Sequence, residues 1–328
     1  MKALIPVIVI GLVVGVGCSS NTTNSADSSG TSRSSNPSRQ IVVGFAQIGA
    51  ESGWRTANTE SIQSEAKKRN IKLLYNDAQQ KQENQISAMR SFMNQKVDLI
   101  MFSPVVSTGW DNILKDIKRA GIPVIVADRQ CDSDPSLYVT HIGSDMVEEG
   151  RNAAKWLAKK MNGKAVIAEL QGTVGSNAAI GRKKGFEEVL KNYPDMKIVM
   201  SQTGEFTRAK GKEVMEAFIK NPEFKKVNAL FAHNDDMALG AIQALEAAGI
   251  KPGVDIIIIS MDGVKDAFKA MAAGKLNCSV ECNPLLGPKL FDATADILAG
   301  KKLEKEIFVE ESVYDQTQAA NMLPNRKY

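Results

Sequence analysis

From residue 41 onward, short runs rich in β-branched residues alternate with longer amphipathic stretches. That alternation restricts the chain to parallel sheets joined by crossover helices, because parallel strands cannot be connected by tight turns. Ten segments read as strands: Ile41–Ala46, Ile71–Asn76, Asp98–Phe102, Pro123–Ala127, Tyr138–Ile142, Ala165–Leu170, Lys197–Ser201, Ala229–Ala232, Asp255–Ser260 and Leu276–Glu281. Helices fill most of the gaps. Ile86, Met89 and Met93 share one helical face, as do Trp110, Ile113, Leu114 and Ile117, and Gly121 with Pro123 stops the second of these helices. Ten strands are many for one parallel sheet, whereas two sheets of about five or six are ordinary. The expected fold class is therefore α/β, with two doubly wound parallel-sheet lobes. The change of lobe is expected near His141–Asp145, with the second lobe running from Ser144 to about Cys282. No short-period repeat is present, which excludes a solenoid.

In open α/β sheets ligands bind beyond the carboxyl ends of the strands, so the residues that follow each apolar run carry the functional information. Here they are polar: Asp77-Ala78-Gln79-Gln80, Asp128-Arg129, His233-Asn234-Asp235-Asp236 and Asp262-Gly263. Each has a plainer reading. Asn234 or Asp235 can cap the following helix, Asp235 being the better suited; Asp262-Gly263 is also a turn signal, and Asp128-Arg129 also a surface ion pair. Their recurrence at four strand ends favours a site, one suited to hydroxyl groups that both donate and accept hydrogen bonds. Trp54-Arg55 follows the first strand and a glycine-containing loop, where an aromatic face can stack on a sugar ring or staple a helix start. Trp110 and Trp156 read as core. Arg182, two turns into the helix after the sixth strand, is placed to reach back toward a ligand.

Several classes are excluded or unsupported. The net charge of +4 is spread along helices rather than clustered, so no nucleic-acid footprint exists. Gln171-Gly172-Thr173-Val174-Gly175-Ser176 lacks the spacing of a phosphate loop, and no catalytic motif appears, so neither enzyme activity nor a cofactor is expected. With only His141 and His233 as histidines, no pair has zinc spacing, and no metal site is expected. Residues 1–17 read as an export signal, with Lys2 before an apolar run too short for a membrane span. Gly15 and Gly17 before Cys18 resemble a bacterial lipoprotein signal, which makes Cys18 the candidate acylation site, although Gly15 stands where such signals carry leucine. Residues 18–40 then form a polar tether that cannot bury enough surface to order itself. The expected location is the outer face of the cell membrane, by a lipid anchor, or the periplasm. Cys131, Cys278 and Cys282 are odd in number and imply no disulfide framework; Cys278 and Cys282, four apart in a strand-like segment, lie too far apart to bridge without a sharp bend, which leaves a Cys131–Cys282 bridge open.

Longer motifs carry a resemblance. Val43-Gly44-Phe45-Ala46-Gln47, Glu51-Ser52-Gly53-Trp54-Arg55, the segment from Gln79 to Ile86, Pro104-Val105-Val106, Glu169-Leu170-Gln171-Gly172-Thr173-Val174-Gly175, Gly204-Glu205-Phe206-Thr207-Arg208, Ala232-His233-Asn234-Asp235-Asp236-Met237 and Met261-Asp262-Gly263 together resemble the type I periplasmic sugar-binding proteins of ABC importers, and most of all the galactofuranose-binding branch. The resemblance covers nearly all of residues 41–328. It implies two lobes joined by three hinge strands, 41–143 with 283–309 and 144–282 with 310–328. It also implies a monomer that captures a monosaccharide, galactofuranose-like or a related hexose or pentose, and delivers it to an ABC importer permease without chemistry. Asp128, Arg129, Arg182, Asn234 and Asp262 fall on positions that bind sugar hydroxyls in that family. Trp54, Arg55, Gln79 and Gln80 look like first-lobe contacts of the galactofuranose branch, and Glu281 like a contact near the last crossing. The three later cysteines depart from the pattern. Effector domains of lactose-repressor-type regulators share the fold but follow a DNA-binding segment, whose place is taken here by signal and tether. A sugar-sensing subunit for a membrane receptor or histidine kinase is the alternative reading.

Overall fold

The computed structural model describes residues 39–328; the export signal, Cys18 and nearly all of the tether lie outside the described residues. Gln40, the tether's last residue, already belongs to the folded body, its side-chain amide donating to Asn70.

Two six-stranded sheets organise the body. The first comprises β1 (Val42–Gln47), β2 (Lys72–Asp77), β3 (Leu99–Phe102), β4 (Val124–Ala127) and β5 (Thr140–Gly143), interleaved with α1 (Gly53–Lys68), α2 (Gln82–Asn94) and α3 (Asp111–Arg119). The second comprises β6 (Ala165–Gln171), β7 (Met196–Thr203), β8 (Ala229–Ala232), β9 (Ile257–Asp262) and β10 (Cys278–Glu281). Its helices are α4 (Met146–Lys160), α5 (Asn177–Leu190), α6 (Arg208–Lys220), α7 (Asp235–Ala247) and α8 (Lys265–Ala272). After α9 (Gly287–Leu298), β11 (Glu306–Phe308) joins the first sheet beside β5, whereas β12 (Val313–Asp315) joins the second beside β10 and leads into α10 (Gln316–Met322). The spatial orders are β11-β5-β4-β3-β1-β2 and β12-β10-β9-β8-β6-β7, the same winding twice. All neighbours are parallel except β12, which runs antiparallel to β10. The expected doubly wound α/β architecture is what the chain forms.

Central strands such as Leu99–Phe102, Val124–Ala127 and Ala229–Ala232 are buried along their whole length, because helices cover both faces of each sheet. That is why they read as unbroken apolar runs. The chain passes between the sheets three times, after β5 through Ser144–Asp145, after β10 through Cys282–Leu286, and between β11 and β12. Helix α9 accordingly packs Leu290 and Phe291 on Val43 and Phe45 of the first sheet, while Ala319 of α10 enters the core of the second. The two terminal strands escaped the sequence reading because each is three residues long and only half-buried, without an apolar run.

Helices α4 and α5 approach closely enough for backbone to meet backbone. A Cβ on Gly150 would stand 2.1 Å from the carbonyl oxygen of Arg182, and one on Gly185 would stand 1.9 Å from that of Val147. The contact sets the depth at which Arg182 leaves α5. Gly185→Ala is expected to force the helices apart, at a cost of about 3 kcal/mol, the upper end for overpacking. Thermal melting should then fall by several degrees; an unchanged midpoint would contradict the close approach.

Candidate functional site

The carboxyl ends of both sheets converge on one narrow pocket whose lining is almost wholly buried. From the first sheet come Glu51, Ser52, Trp54 and Arg55 after β1, and Asp128 and Arg129 after β4. From the second come Arg182 on α5, Phe206 after β7, Asn234 after β8, Asp262 at the end of β9 and Cys282 after β10, with Met146 and Ala178 completing the wall. Direct bonds between the two sets of loops hold the pocket shut. The Gly53 amide donates to Asp236 Oδ2 at 2.7 Å, the Ser107 amide to the Gly175 carbonyl at 2.9 Å, and the Gln130 amide to Asn177 Oδ1 at 3.2 Å.

Three guanidinium groups and their carboxylates form the polar lining. Arg55 pairs with Asp128 Oδ2 at 2.8 Å and Glu51 Oε1 at 3.1 Å, and Ser103 donates its hydroxyl to the same Asp128 oxygen at 3.0 Å. Burial alone would lower the Arg55 pKa, but the two carboxylates outweigh it and raise it. Arg182 pairs with Glu149 Oε2 at 2.6 Å and Asp262 Oδ1 at 3.4 Å, and donates to the His233 carbonyl at 2.5 Å. Its pKa is raised against the opposing effect of burial. Arg129 is the least compensated: burial, with Arg55 nearby, lowers it to about 10, and its guanidinium lies 4.9 Å from the centre of the Phe206 ring. Burial also pushes the Asp262 carboxyl well up, against the pull of Arg182. Three residues of the pocket have left-handed backbone, with φ of 63° at Asp128, 108° at Asp262 and 62° at Phe206. Non-glycine residues held in this region are typical of ligand-binding sites.

Trp54, Arg55, Asp128, Arg129, Arg182, Asn234 and Asp262 are thus brought together. Gln79 and Gln80 are not. Both are exposed, with φ of 53° and 60°, and form the turn between β2 and α2 rather than part of the wall. Glu281 is also diverted. It lies beside the Asp262–Gly263 turn, but its carboxylate accepts from Arg326 at 2.9 Å, Tyr328 at 2.7 Å and Tyr314 at 3.1 Å. It therefore clamps the C-terminal tail. Arg326 also donates to the Gly263 carbonyl and lies among the rings of Phe268, Tyr314 and Tyr328, so the tail fixes the turn that presents Asp262. The capping expectation reverses as well: Asn234 caps α7 by accepting from the Met237 amide at 2.9 Å while its own amide donates to the Phe206 carbonyl at 3.0 Å. Asp235 is instead buried under α7, bonded to Ser260, Ser279 and the Val264 amide.

Phe206 was not among the predicted site residues. It follows a strand end like the others but is apolar, and so carries no local sign of a site; the absent Cβ at Gly172 is what lets its ring pack in. The Trp54 indole donates to the Cys282 carbonyl at 2.6 Å, which ties α1 to the second crossing. Cys131, Cys278 and Cys282 are all buried and free, so the considered Cys131–Cys282 bridge does not form. Trp110 is fully buried and Trp156 half-buried, both away from the pocket.

A family model described as periplasmic binding protein domain matches residues 43–302. The chain is 54% identical to the galactofuranose-binding protein YtfQ of Escherichia coli over 256 residues, 77% of this chain and 80% of that protein. Among solved structures, the periplasmic binding protein of the arabinose ABC transporter from Shewanella sp. ANA-3, bound to α- and β-L-arabinofuranose, is 54% identical. It superposes with a TM-score of 0.85, covering 88% of this chain and 96% of that one. A Mycobacterium smegmatis structure in complex with β-D-fucofuranose is 51% identical, with a TM-score of 0.85 and coverage of 88% and 95%.

Two outcomes test this geometry. Arg326→Ala should speed amide exchange at Gly263 and Val264 by about tenfold to a hundredfold, the worth of a charge-assisted hydrogen bond, while β6 and β8 stay protected. Uniform protection in the variant would show that the tail does not hold the turn. The second concerns Glu169, which accepts from His233, Lys183 and Ser201 beneath the carbonyl that holds Arg182. Burial would raise its pKa, but these partners lower it to about 2, from an ordinary 4.5. Its folded pKa being depressed, its stabilisation is complete above about pH 4.5 and is lost as pH falls toward 2. Urea melts across that window should show a shallower acid loss in Glu169→Gln than in the parent.

Proposed function

The chain belongs to the periplasmic binding protein domain family, and from that footing we propose that it is the extracytoplasmic receptor of a sugar ABC importer. In this reading it captures one monosaccharide between its two lobes and performs no chemistry on it. The observation that carries the reading is the pocket lining: Asp128, Arg129, Arg182, Asn234 and Asp262 reach it from the strand ends of both sheets, with the Phe206 ring beside them. Carboxylates accept from sugar hydroxyls and guanidinium groups donate to them, while an aromatic face covers the C–H side of the ring.

Relatives named for galactofuranose, arabinofuranose and fucofuranose support a five-membered-ring sugar as the ligand class. Lobes of 41–143 with 283–309 and 144–282 with 310–328 would open and close about the three crossings. Contacts made from both lobes at once favour the closed state, and only that difference shifts the population toward it. The proposal extends to a monomer exported from the cytoplasm and held at the membrane through acylated Cys18, with the closed form read by the permease.

The test is calorimetric titration of residues 41–328, freed of copurified ligand, with galactose, arabinose, ribose, glucose and xylose. One saturable site is expected, with galactose or arabinose preferred because both populate furanose forms. Asp262→Ala should abolish that binding, with some loss in melting temperature because buried Arg182 also loses one of its partners. Wild-type affinity in the variant, or silence across the panel, would overturn the assignment.

A further inference from the structure

Where the three crossings meet, the structure gathers a second cluster beside the sugar pocket, sharing with it only Cys282 of the wall. Cys282 Sγ and one carboxylate oxygen each from Glu149 and Glu311 lie within 4.8 Å of one another. Ser144, at the first crossing, is hydrogen-bonded to both Glu311 and Cys282 Sγ, the latter at 3.3 Å. The Asn283 amide, at the second crossing, donates to Glu311 Oε1 at 2.9 Å. Glu311 itself stands in the third, between β11 and β12.

The donors do not match the acceptors. Arg182 engages Glu149 through Oε2 only, and the other oxygen, Oε1, is fully buried with no hydrogen-bond partner. Both hydrogen bonds to Glu311 fall on Oε1. Two carboxylates and a thiol therefore share a dehydrated space with one guanidinium, and Arg182 must also face Asp262. A second cavity, lined by Asp145, Glu148, Glu149, Asn152, Glu311 and Ser312, runs alongside and gives an acidic approach from solvent.

We propose that Cys282, Glu149 and Glu311 form a divalent-cation site of zinc type at the junction of the three crossings. A thiolate with two carboxylates suits a borderline-soft ion such as Zn²⁺ rather than Ca²⁺ or Mg²⁺, which take oxygen ligands. Bond lengths of about 2.0–2.3 Å put tetrahedral ligands roughly 3.5 Å apart, so small side-chain rotations close the present spacing. Water or the Ser144 hydroxyl would complete the set. Glu149 would bridge the ion to Arg182, linking it to Asp262 in the sugar pocket. Sequence spacing could not disclose such a site, because its ligands belong to three separate crossings of the chain.

The probe is Co²⁺, added to reduced, sugar-free residues 41–328. One equivalent should bind with a thiolate-to-cobalt charge-transfer band in the near ultraviolet, and Zn²⁺ should displace it. Cys282→Ser should abolish the band, with Cys131 and Cys278 left as internal controls. Glu311→Gln, which keeps the thiol, should weaken Co²⁺ binding about tenfold or more, as loss of a supporting ligand does. Absence of saturable uptake, or a band that survives Cys282→Ser, would overturn the proposal. Because the readout needs no sugar, its failure is separable from failure of the receptor reading.

Discussion

Arg182 is the interaction on which the arrangement around the pocket turns. Its guanidinium is buried and joins three pieces of the second sheet's surroundings: Glu149 on α4, the His233 carbonyl after β8 and Asp262 at the end of β9. A buried cation is tolerated only when its donors are spent on matched acceptors, and removal of one partner leaves a charge without compensation. The glycine contacts between α4 and α5 hold Arg182 and Glu149 at the required depth, and the Glu169–His233 pair steadies the carbonyl. In the first sheet, Arg55 plays the corresponding part with Glu51 and Asp128. Arg129 is less closely paired, with Glu51 at 3.8 Å and the Val105 carbonyl at 3.2 Å.

The same opposition of charge holds the backbone at two points of the pocket wall. Asp128 and Asp262 both adopt left-handed backbone, a conformation that costs free energy unless neighbours enforce it. At Asp128 the enforcement comes from Ser103 and Arg55 on the side chain and from His141, whose ring nitrogen lies 2.8 Å from the Asp128 carbonyl. At Asp262 it comes from the Gly263 amide on Ser279 and from the C-terminal tail through Arg326. Each carboxylate is thus aimed before a ligand arrives, so less ordering remains for binding to supply.

Much of this was legible in the sequence, for physical reasons that also mark where legibility ends. Central strands covered on both faces must be apolar throughout, and the longer edge strands β2 and β7 keep apolar runs on one face, so ten strands could be read with their boundaries nearly right, whereas β11 and β12, only three residues long, left no such trace. Polar residues directly after a buried strand have few roles other than a cap or a site, and Asn234 performs both. Gln79 and Gln80 satisfied the same rule but form a left-handed turn that carries them into solvent. Glu281 failed because its partners, Arg326 and Tyr328, are more than forty residues away and nothing local announces them. The cluster of Glu149, Cys282 and Glu311 was invisible for the same reason, being assembled wholly by the crossings.

The last of those crossings bears on the order in which the molecule can be completed. Strand β12 and helix α10 are the final elements of the chain, yet β12 pairs with β10 and the tail beyond it secures the Asp262–Gly263 turn. Until residue 313 and those after it are available, β10 has an open edge and the second lobe lacks part of its core. A chain that has not yet placed β12 and the tail therefore lacks both the edge partner of β10 and the bond that fixes the Asp262–Gly263 turn, so the pocket is completed by the element furthest along the sequence from its first wall.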